Sequence, residues 1–413
     1  MRLGWFSKLT RVERNTFFAC FGGLGLDAFD TSIYALVIPA LIATAGITRP
    51  EAGIMASLAL IGSGVGGIAA GALADRFGRV RVLQATVLWV ALFTFASAFT
   101  NGFAQLAVVR TLQGLGYGGE AAVGGVLVAE MVAPALRGRV TSAVQSGYAV
   151  GYGLAVAAFP LVFAVAPEAM AWRVFFALGL LPAVFVIFIR RLVPESPLYL
   201  KTAKPKGLSL AAIFGPAHLK RTLIATLMST GIFGGAYTIL TWLPTYLRTT
   251  QHLSVMSTSG YLAANIFGSF VGPLLFGQIS DRIGRRTTFI AFLLLQAVNV
   301  GVYLSAPMTM ASMIAMGAVM GALQGGLASG MLPTFAELFP TQMRGAGEGF
   351  CLSGGRGIAS IVPALVGMGA AGAGGLGLAM GIGAIGSYAV GVTAAMAMPE
   401  TRGVSLEADA ESV

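Results

Sequence analysis

Gly71-Ala-Leu-Ala-Asp75-Arg76-Phe-Gly78-Arg79 stands in the first half of the chain, and Gly277-Gln-Ile-Ser-Asp281-Arg282-Ile-Gly284-Arg285-Arg286 in the second. Each is a short charged loop with a glycine turn, set between long apolar stretches. Two further pairs keep the same order. Ala129-Glu130 leads to Pro134 and Arg137-Gly138, as Ala336-Glu337 leads to Pro340 and Arg344-Gly345. Pro194-Glu195-Ser196 is matched by Pro399-Glu400-Thr401. Asp75 and Asp281 are 206 residues apart, Glu130 and Glu337 are 207 apart, and Glu195 and Glu400 are 205 apart. Three ordered pairs at nearly one spacing mark an internal duplication, so whatever fold one half adopts, the other repeats.

Composition says what lies between the loops. Of 413 residues, 56% are hydrophobic and 10% charged, and the mean hydropathy is +0.82. A soluble domain carries about 25% charged residues. The solvent for most of this surface must be lipid. A membrane helix needs about 20 apolar residues, and spans are predicted at 17–44, 52–74, 82–100, 103–132, 141–166, 173–193, 221–247, 257–280, 287–305, 309–336, 346–369 and 374–398. The fold class is therefore all-α integral membrane, twelve transmembrane helices in two pseudo-symmetric six-helix bundles. The bundles cover 1–193 and 221–413, and 194–220 is a cytoplasmic linker. The 57 glycines suit close helix packing in lipid.

The net charge of +10 does not point to nucleic acid. On this map Arg110 and Arg356 lie inside spans, and only Arg49, Arg173 and Arg248 fall on one side; every other Lys and Arg falls on the opposite side. That bias places both termini in the cytoplasm, in a bacterial inner membrane. No cleavable signal peptide is read in Met1–Arg14. Cys20 and Cys351 sit in apolar helices and imply neither a disulfide framework nor a metal site.

The paired Gly-x-x-x-Asp-Arg-x-Gly-Arg loops resemble the signature of the major facilitator superfamily, over nearly the whole chain. The resemblance implies two bundles that rock around a central site, exposing it alternately to each side. Pro194-Glu195-Ser196-Pro197-Leu198-Tyr199-Leu200 and Pro399-Glu400-Thr401-Arg402-Gly403 resemble the sugar porters and their organic-acid relatives. Asp27-Ala28-Phe29-Asp30-Thr31 is similar to the paired-Asp motif of aromatic-acid:proton symporters, and Trp242-Leu243-Pro244-Thr245-Tyr246-Leu247 resembles the same group. The sugar porters' Gln-Gln signature is replaced by Ser229-Thr230-Gly231-Ile232-Phe233. The fifth span, Ser146-Gly147-Tyr148-Ala149-Val150-Gly151-Tyr152-Gly153, lacks the Gly-Pro pair of the drug antiporters.

Charges deep in lipid are costly and usually functional. Five qualify here: Asp27, Asp30, Arg110, Glu120 and Arg356. At a rise of about 1.5 Å per residue, Asp30 and Arg110 both lie about 20 Å from the inner face, which predicts an Asp30–Arg110 pair. Asp27, Asp30, Thr31 and Tyr34 share an arc of about 100°, and Arg110, Gln113, Tyr117 and Glu120 share a face of the fourth span. In the sugar porters the matching Asp and Arg couple protonation to transport, and the resemblance implies the same here. Burial raises a carboxyl pKa and a nearby guanidinium lowers it, and one Arg cannot neutralise two carboxylates. At least one acid is thus expected to exchange a proton. The blander alternative is mutual neutralisation that glues the bundle.

Arg356 lies about 15 Å from the cytoplasmic face, in a stripe with Ser353 and Ser360. Its planar fork suits a carboxylate, which points to an anionic substrate. Pairing with Asp27 or with backbone carbonyls is the alternative. Tyr34, Tyr152, Tyr237, Asn265 and Gln324 are weaker candidates for lining the cavity.

Gating residues are expected at Asp75, Arg76, Arg79, Asp281, Arg282 and Arg285, with Glu130/Arg137 and Glu337/Arg344 as bridging pairs. Gly71 and Gly277 are expected to permit close helix contact. Tight turns and topological retention would account for the same loops. No enzyme chemistry is visible, and neither a cofactor nor a metal is expected, protons serving as the coupling ion. The sequence reads as a monomeric proton-coupled symporter for a small organic anion, a monocarboxylate or an aromatic acid. A sugar or polyol symporter, a non-coupled facilitator and a membrane sensor on the same scaffold are the alternatives.

Overall fold

A computed structural model describes residues 6–132, 134–181, 184, 193–195, 213–340, 343–372 and 374–402. Among the described residues there is no strand. The first six helices are α1 (Arg11–Thr44), α2 (Arg49–Phe77), α3 (Arg79–Ser97), α4 (Phe103–Met131), α5 (Pro134–Val165) and α6 (Glu168–Ala177), the last continued by a 3-10 turn at Leu178–Leu180. The second set is α7 (Leu219–Thr249), α8 (Val255–Ile283), α9 (Arg285–Ser305), α10 (Met310–Leu338), α11 (Arg344–Ala359), α12 (Val362–Gly369) and α13 (Gly375–Ala397). The described residues include ten helical stretches long and apolar enough to cross a membrane, α11 and α12 counting together as one. The 29-residue α4 is about 43 Å long, enough for an eleventh crossing. The apolar Ala169–Leu180 belongs to a twelfth, whose remainder and the linker at 196–212 lie outside the described residues.

Contacts divide the chain into two compact units, Met1–Glu51 with Leu58–Pro205, and Ala52–Ser57 with Lys206–Val413. In the first unit α1 and α2 both start in capping boxes, Thr10 with Glu13 and Thr48 with Glu51. The side-chain oxygen takes an N–H that the first turn leaves open, and the glutamate returns the bond. Large apolar side chains such as Ile68, Phe267 and Ile382 stay exposed on helix surfaces, as lipid-facing positions do.

Helix contact inside each unit depends on small residues. In the second unit a Cβ on Gly268 would strike the Ala318 backbone, one on Gly272 that of Ala322, and one on Gly321 that of Asn265. The α8 and α10 backbones therefore touch directly, the way helices associate where lipid removes the hydrophobic drive. Gly71 and Gly277 do not serve this purpose. No described atom lies within 4 Å of a Cβ built at either, so the expected close contact is made by other glycines.

The eleventh crossing differs from the continuous 346–369 span that hydropathy predicts. It breaks at Ser360–Ile361, and Pro363 sits in the first turn of α12. Proline has no N–H to give, and its ring clashes with the carbonyl four residues back. The helix ends at Ala359 and restarts where proline is tolerated.

Candidate functional site

In the first unit the buried charges gather around α1. Asp30 is fully enclosed, and the Thr94 hydroxyl on α3 donates to its Oδ2 at 2.9 Å. Arg110 on α4 is 3% exposed. Its Cζ lies 4.7 Å above the Tyr34 ring and 6.0 Å from that of Phe176. The Asp30–Arg110 ion pair predicted from matching depth is not closed. Arg110 acts on Asp30 electrostatically, but its Nε and Nη1 have no hydrogen-bond partner among the described residues. Each charge instead has its own support, Thr94 for the acid and the Tyr34 face for the guanidinium, a cation–π contact that gains strength when desolvated.

The other two acids form a second group. Glu120 on α4 reaches across to α1 and occupies the space that a side chain at Gly23 would fill. Gly23 and Asp27 are one turn apart on α1, so the Glu120 carboxyl group comes into the neighbourhood of Asp27. The Cys20 thiol lies beside them, buried and unoxidised. Tyr152 of the first unit is buried at 8% exposure.

In the second unit Arg356 on α11 lies with its Cζ 5.0 Å from the centre of the Phe233 ring on α7. Phe233 stacks on Tyr237 one turn further along, with ring centres 5.8 Å apart and planes at 23°. Arg356 and Phe233 are both partly exposed. Small residues bring the two helices together: Gly355 packs against Ser229, whose hydroxyl donates to the Leu352 carbonyl at 3.4 Å. The result is a guanidinium fork beside an aromatic shelf. Gln324 on α10 is partly exposed and accepts a bond from the Tyr388 hydroxyl at 3.1 Å. Asn265 differs from a free lining residue. Its amide donates to the Gly317 carbonyl at 3.0 Å and ties α8 to α10.

The charged loops are built alike in both units. Gly78 and Gly284 hold φ of 103° and 99°, the region open to glycine, and start α3 and α9 without a capping side chain. The missing acceptor comes from afar. Glu195 takes the Arg79 N–H at 2.8 Å and the Val80 N–H at 3.2 Å. Glu400 takes the Arg285 N–H at 2.8 Å and the Arg286 N–H at 3.2 Å. A carboxylate there also meets the positive end of the helix dipole. Each loop arginine then reaches back. Arg79 Nη1 donates to the Ala74 carbonyl at 2.8 Å, and Arg285 Nη1 to Ser280 at 3.2 Å. Arg285 also pairs with Asp281 at 2.7 Å and with Glu337 at 3.4 Å, and the Thr401 hydroxyl donates to Glu337 at 2.5 Å.

Of the gating residues, then, Asp281, Arg285 and Glu337 form one network inside the second unit. The observed partners of Glu337 are Arg285 and Thr401. Arg76 lies over Phe77 at 5.2 Å, and Arg282 is exposed. The side chains of Asp75, Glu130, Arg137 and Arg344 lie outside the described residues. In the sequence Glu195 and Glu400 stand only as parts of span-closing motifs. Their signal was a glycine at each helix start that has nothing of its own to cap with.

Comparison with known proteins agrees with this architecture. The Major Facilitator Superfamily profile matches residues 20–298, and that of the Sugar (and other) transporter family matches residues 228–402. A probable 4-methylmuconolactone transporter of Cupriavidus pinatubonensis is 36% identical, over 99% of this chain and 96% of that one. The 4-hydroxybenzoate transporter PcaK of Pseudomonas aeruginosa is 30% identical, over 82% of each. Among solved structures a D-xylose-proton symporter superposes with a TM-score of 0.78 at 21% identity, covering 95% of this chain and 99% of that one; this likeness speaks for the fold. Twelve transmembrane helices in two pseudo-symmetric six-helix bundles, the duplicated charged loops and the full-length match agree: the chain is a multi-pass membrane transporter, not an enzyme, and belongs to the major facilitator superfamily.

Proposed function

We propose that the protein is a proton-coupled symporter that carries a small organic acid, a monocarboxylate or an aromatic acid, by alternating access of two bundles joined through the 194–220 linker. The observation that carries the reading is Arg356 beside the stacked Phe233 and Tyr237. A guanidinium offers paired N–H donors to a carboxylate, and an aromatic face receives a flat apolar body. A 36% identical relative is described as a probable 4-methylmuconolactone transporter and a 30% identical one as a 4-hydroxybenzoate transporter, both of which fit that chemistry. Proton coupling is supported by Asp27, Asp30 and Glu120 enclosed with Arg110 in the first unit. Three buried carboxylates against one guanidinium would leave charge uncompensated in a medium that penalises it, so the group holds protons and can release them. Tyr34 and Tyr152 accompany the proton site, and Tyr237 and Gln324 the acid site. Both termini face the cytoplasm and the unit of function is a monomer.

The test is uptake by proteoliposomes loaded with a pH-sensitive dye. 4-Hydroxybenzoate or 4-methylmuconolactone added outside is expected to enter and to acidify the lumen. D-Xylose uptake in the absence of acid uptake would replace this reading with the sugar one.

A further inference from the structure

Three buried or half-buried amide and phenol groups in the second unit settle which way round Gln324 points. The chain begins at the Met320 carbonyl on α10, which can only accept. Gln296 on α9 must turn its amino end toward it, and Nε2 lies 3.3 Å from that oxygen. The same Nε2 lies 3.4 Å from the Tyr388 hydroxyl of α13. An amide nitrogen only donates, so the phenol oxygen accepts there. The single proton of Tyr388 is left for Gln324, whose Oε1 receives it at 3.1 Å. Gln324 has therefore committed its carbonyl end. Its amino end has no partner among the described residues, and the residue is partly exposed.

The chain cannot run backwards at low cost. Turning Gln324 round would present two donors to Tyr388, whose own proton would then have only the Gln296 amino group to face. Reversing Gln296 as well would set its Oε1 against the Met320 carbonyl, two acceptors in contact. Gln296 and Tyr388 are both fully buried, so water cannot repair either fault. The Tyr388 ring is held by Gly235, where any side chain would overlap it. The oxygen end of Gln296 is buried without a partner among the described residues, so its amide is oriented by the donor end alone.

We infer that Gln324 is a fixed hydrogen-bond donor to the substrate, with its polarity set by Tyr388, and that the preferred acid carries a second acceptor group, a carbonyl or a second carboxylate, beyond the carboxylate that Arg356 receives. This rests on the organic-acid reading of the site and narrows it. Tyr388 is a positioning residue, acting through the Gln324 amide.

The experiment compares two acids of one shape, 4-acetylbenzoate and 4-ethylbenzoate, which differ by a carbonyl in place of a methylene. Binding to the purified full chain in detergent is followed by titration. The wild type is expected to bind the acetyl acid about five- to tenfold more tightly, the worth of one hydrogen bond. Tyr388→Phe removes the proton that orients the amide, and the affinity ratio is expected to fall toward one. Gln324→Leu should do the same while keeping the Tyr388 side chain and the Gln296–Met320 bond in place, so a folding defect in the first variant does not hide the answer. A folding role alone would weaken both acids equally and leave the ratio unchanged. Equal affinities in the wild type, or a ratio unmoved in both variants, overturn the inference and leave the organic-acid reading standing. Binding of neither acid overturns that reading and this inference with it.

Discussion

Arg356 over Phe233 combines a planar fork with an aromatic surface, and lysine reproduces neither. Arg356→Lys is expected to raise the apparent KM for an aromatic acid about tenfold, because an ammonium loses both the paired donors and the stacking. Initial-rate uptake checks this, and an unchanged KM would remove the fork from the account. Asp30→Asn is expected to abolish proton-driven uptake while counterflow exchange stays measurable; uphill uptake at the wild-type rate would exclude Asp30 from the coupling. At this scale the sequence identified the neighbours but not their contacts. Helical rise located Asp30 and Arg110 at one depth, and both are buried in one unit. Rise fixes position along an axis, however, and not the rotamer or the third helix that intervenes. Thr94 was illegible for a further reason. Threonines in helices commonly bond their own backbone four residues back, as Thr111 and Thr238 do here, so nothing in the sequence marked Thr94 as the one that reaches another helix.

Helices in this protein meet through glycine and start through borrowed acids. Gly268→Leu is expected to destabilise the second unit by about 1–3 kcal/mol, since the added atoms must displace α10 backbone; Gly277→Ala, with open space around it, is expected to be neutral. Melting temperatures in detergent distinguish the two, and equal losses would show that the close α8–α10 approach is not what stability depends on. Glu400→Gln removes a charge from the start of α9, where such a charge contributes about 0.3–1 kcal/mol. A small drop in melting temperature is expected, together with increased solvent labelling around residue 285; labelling unchanged from wild type would mean that the backbone is held by other bonds. Charged loops and apolar runs made the elements legible, because both are local. The break at Ser360–Ile361 was missed although Pro363 stood in plain view, since an averaged hydropathy window is blind to a missing N–H. The glutamate caps were missed because their partners are more than a hundred positions away in sequence.

At the level of the whole molecule, the scaffold is duplicated and the chemistry is not. Both units carry the glycine-turn loop and the glutamate that closes it, while the buried acids Asp27, Asp30 and Glu120 belong to the first and Arg356 with its aromatic shelf to the second. Proton movement and acid binding are therefore expected to be separable. Glu120→Gln should lose the dye response of proteoliposomes yet retain acid binding in detergent, and Arg356→Gln should lose both. Loss of binding in the first variant would mean that one site performs both tasks. The long reach of the glutamate caps has a consequence for biosynthesis. Glu195 and Glu400 lie 116 and 115 residues after the N–H groups of Arg79 and Arg285 that they receive. At about 5–20 residues per second, each loop waits roughly 6–23 s on the ribosome's clock before its acid exists. Each half thus completes the cap of its own charged turn only when its sixth crossing has been made, and a ribosome that stalls before Glu400 leaves behind a chain whose second charged turn lacks its acid.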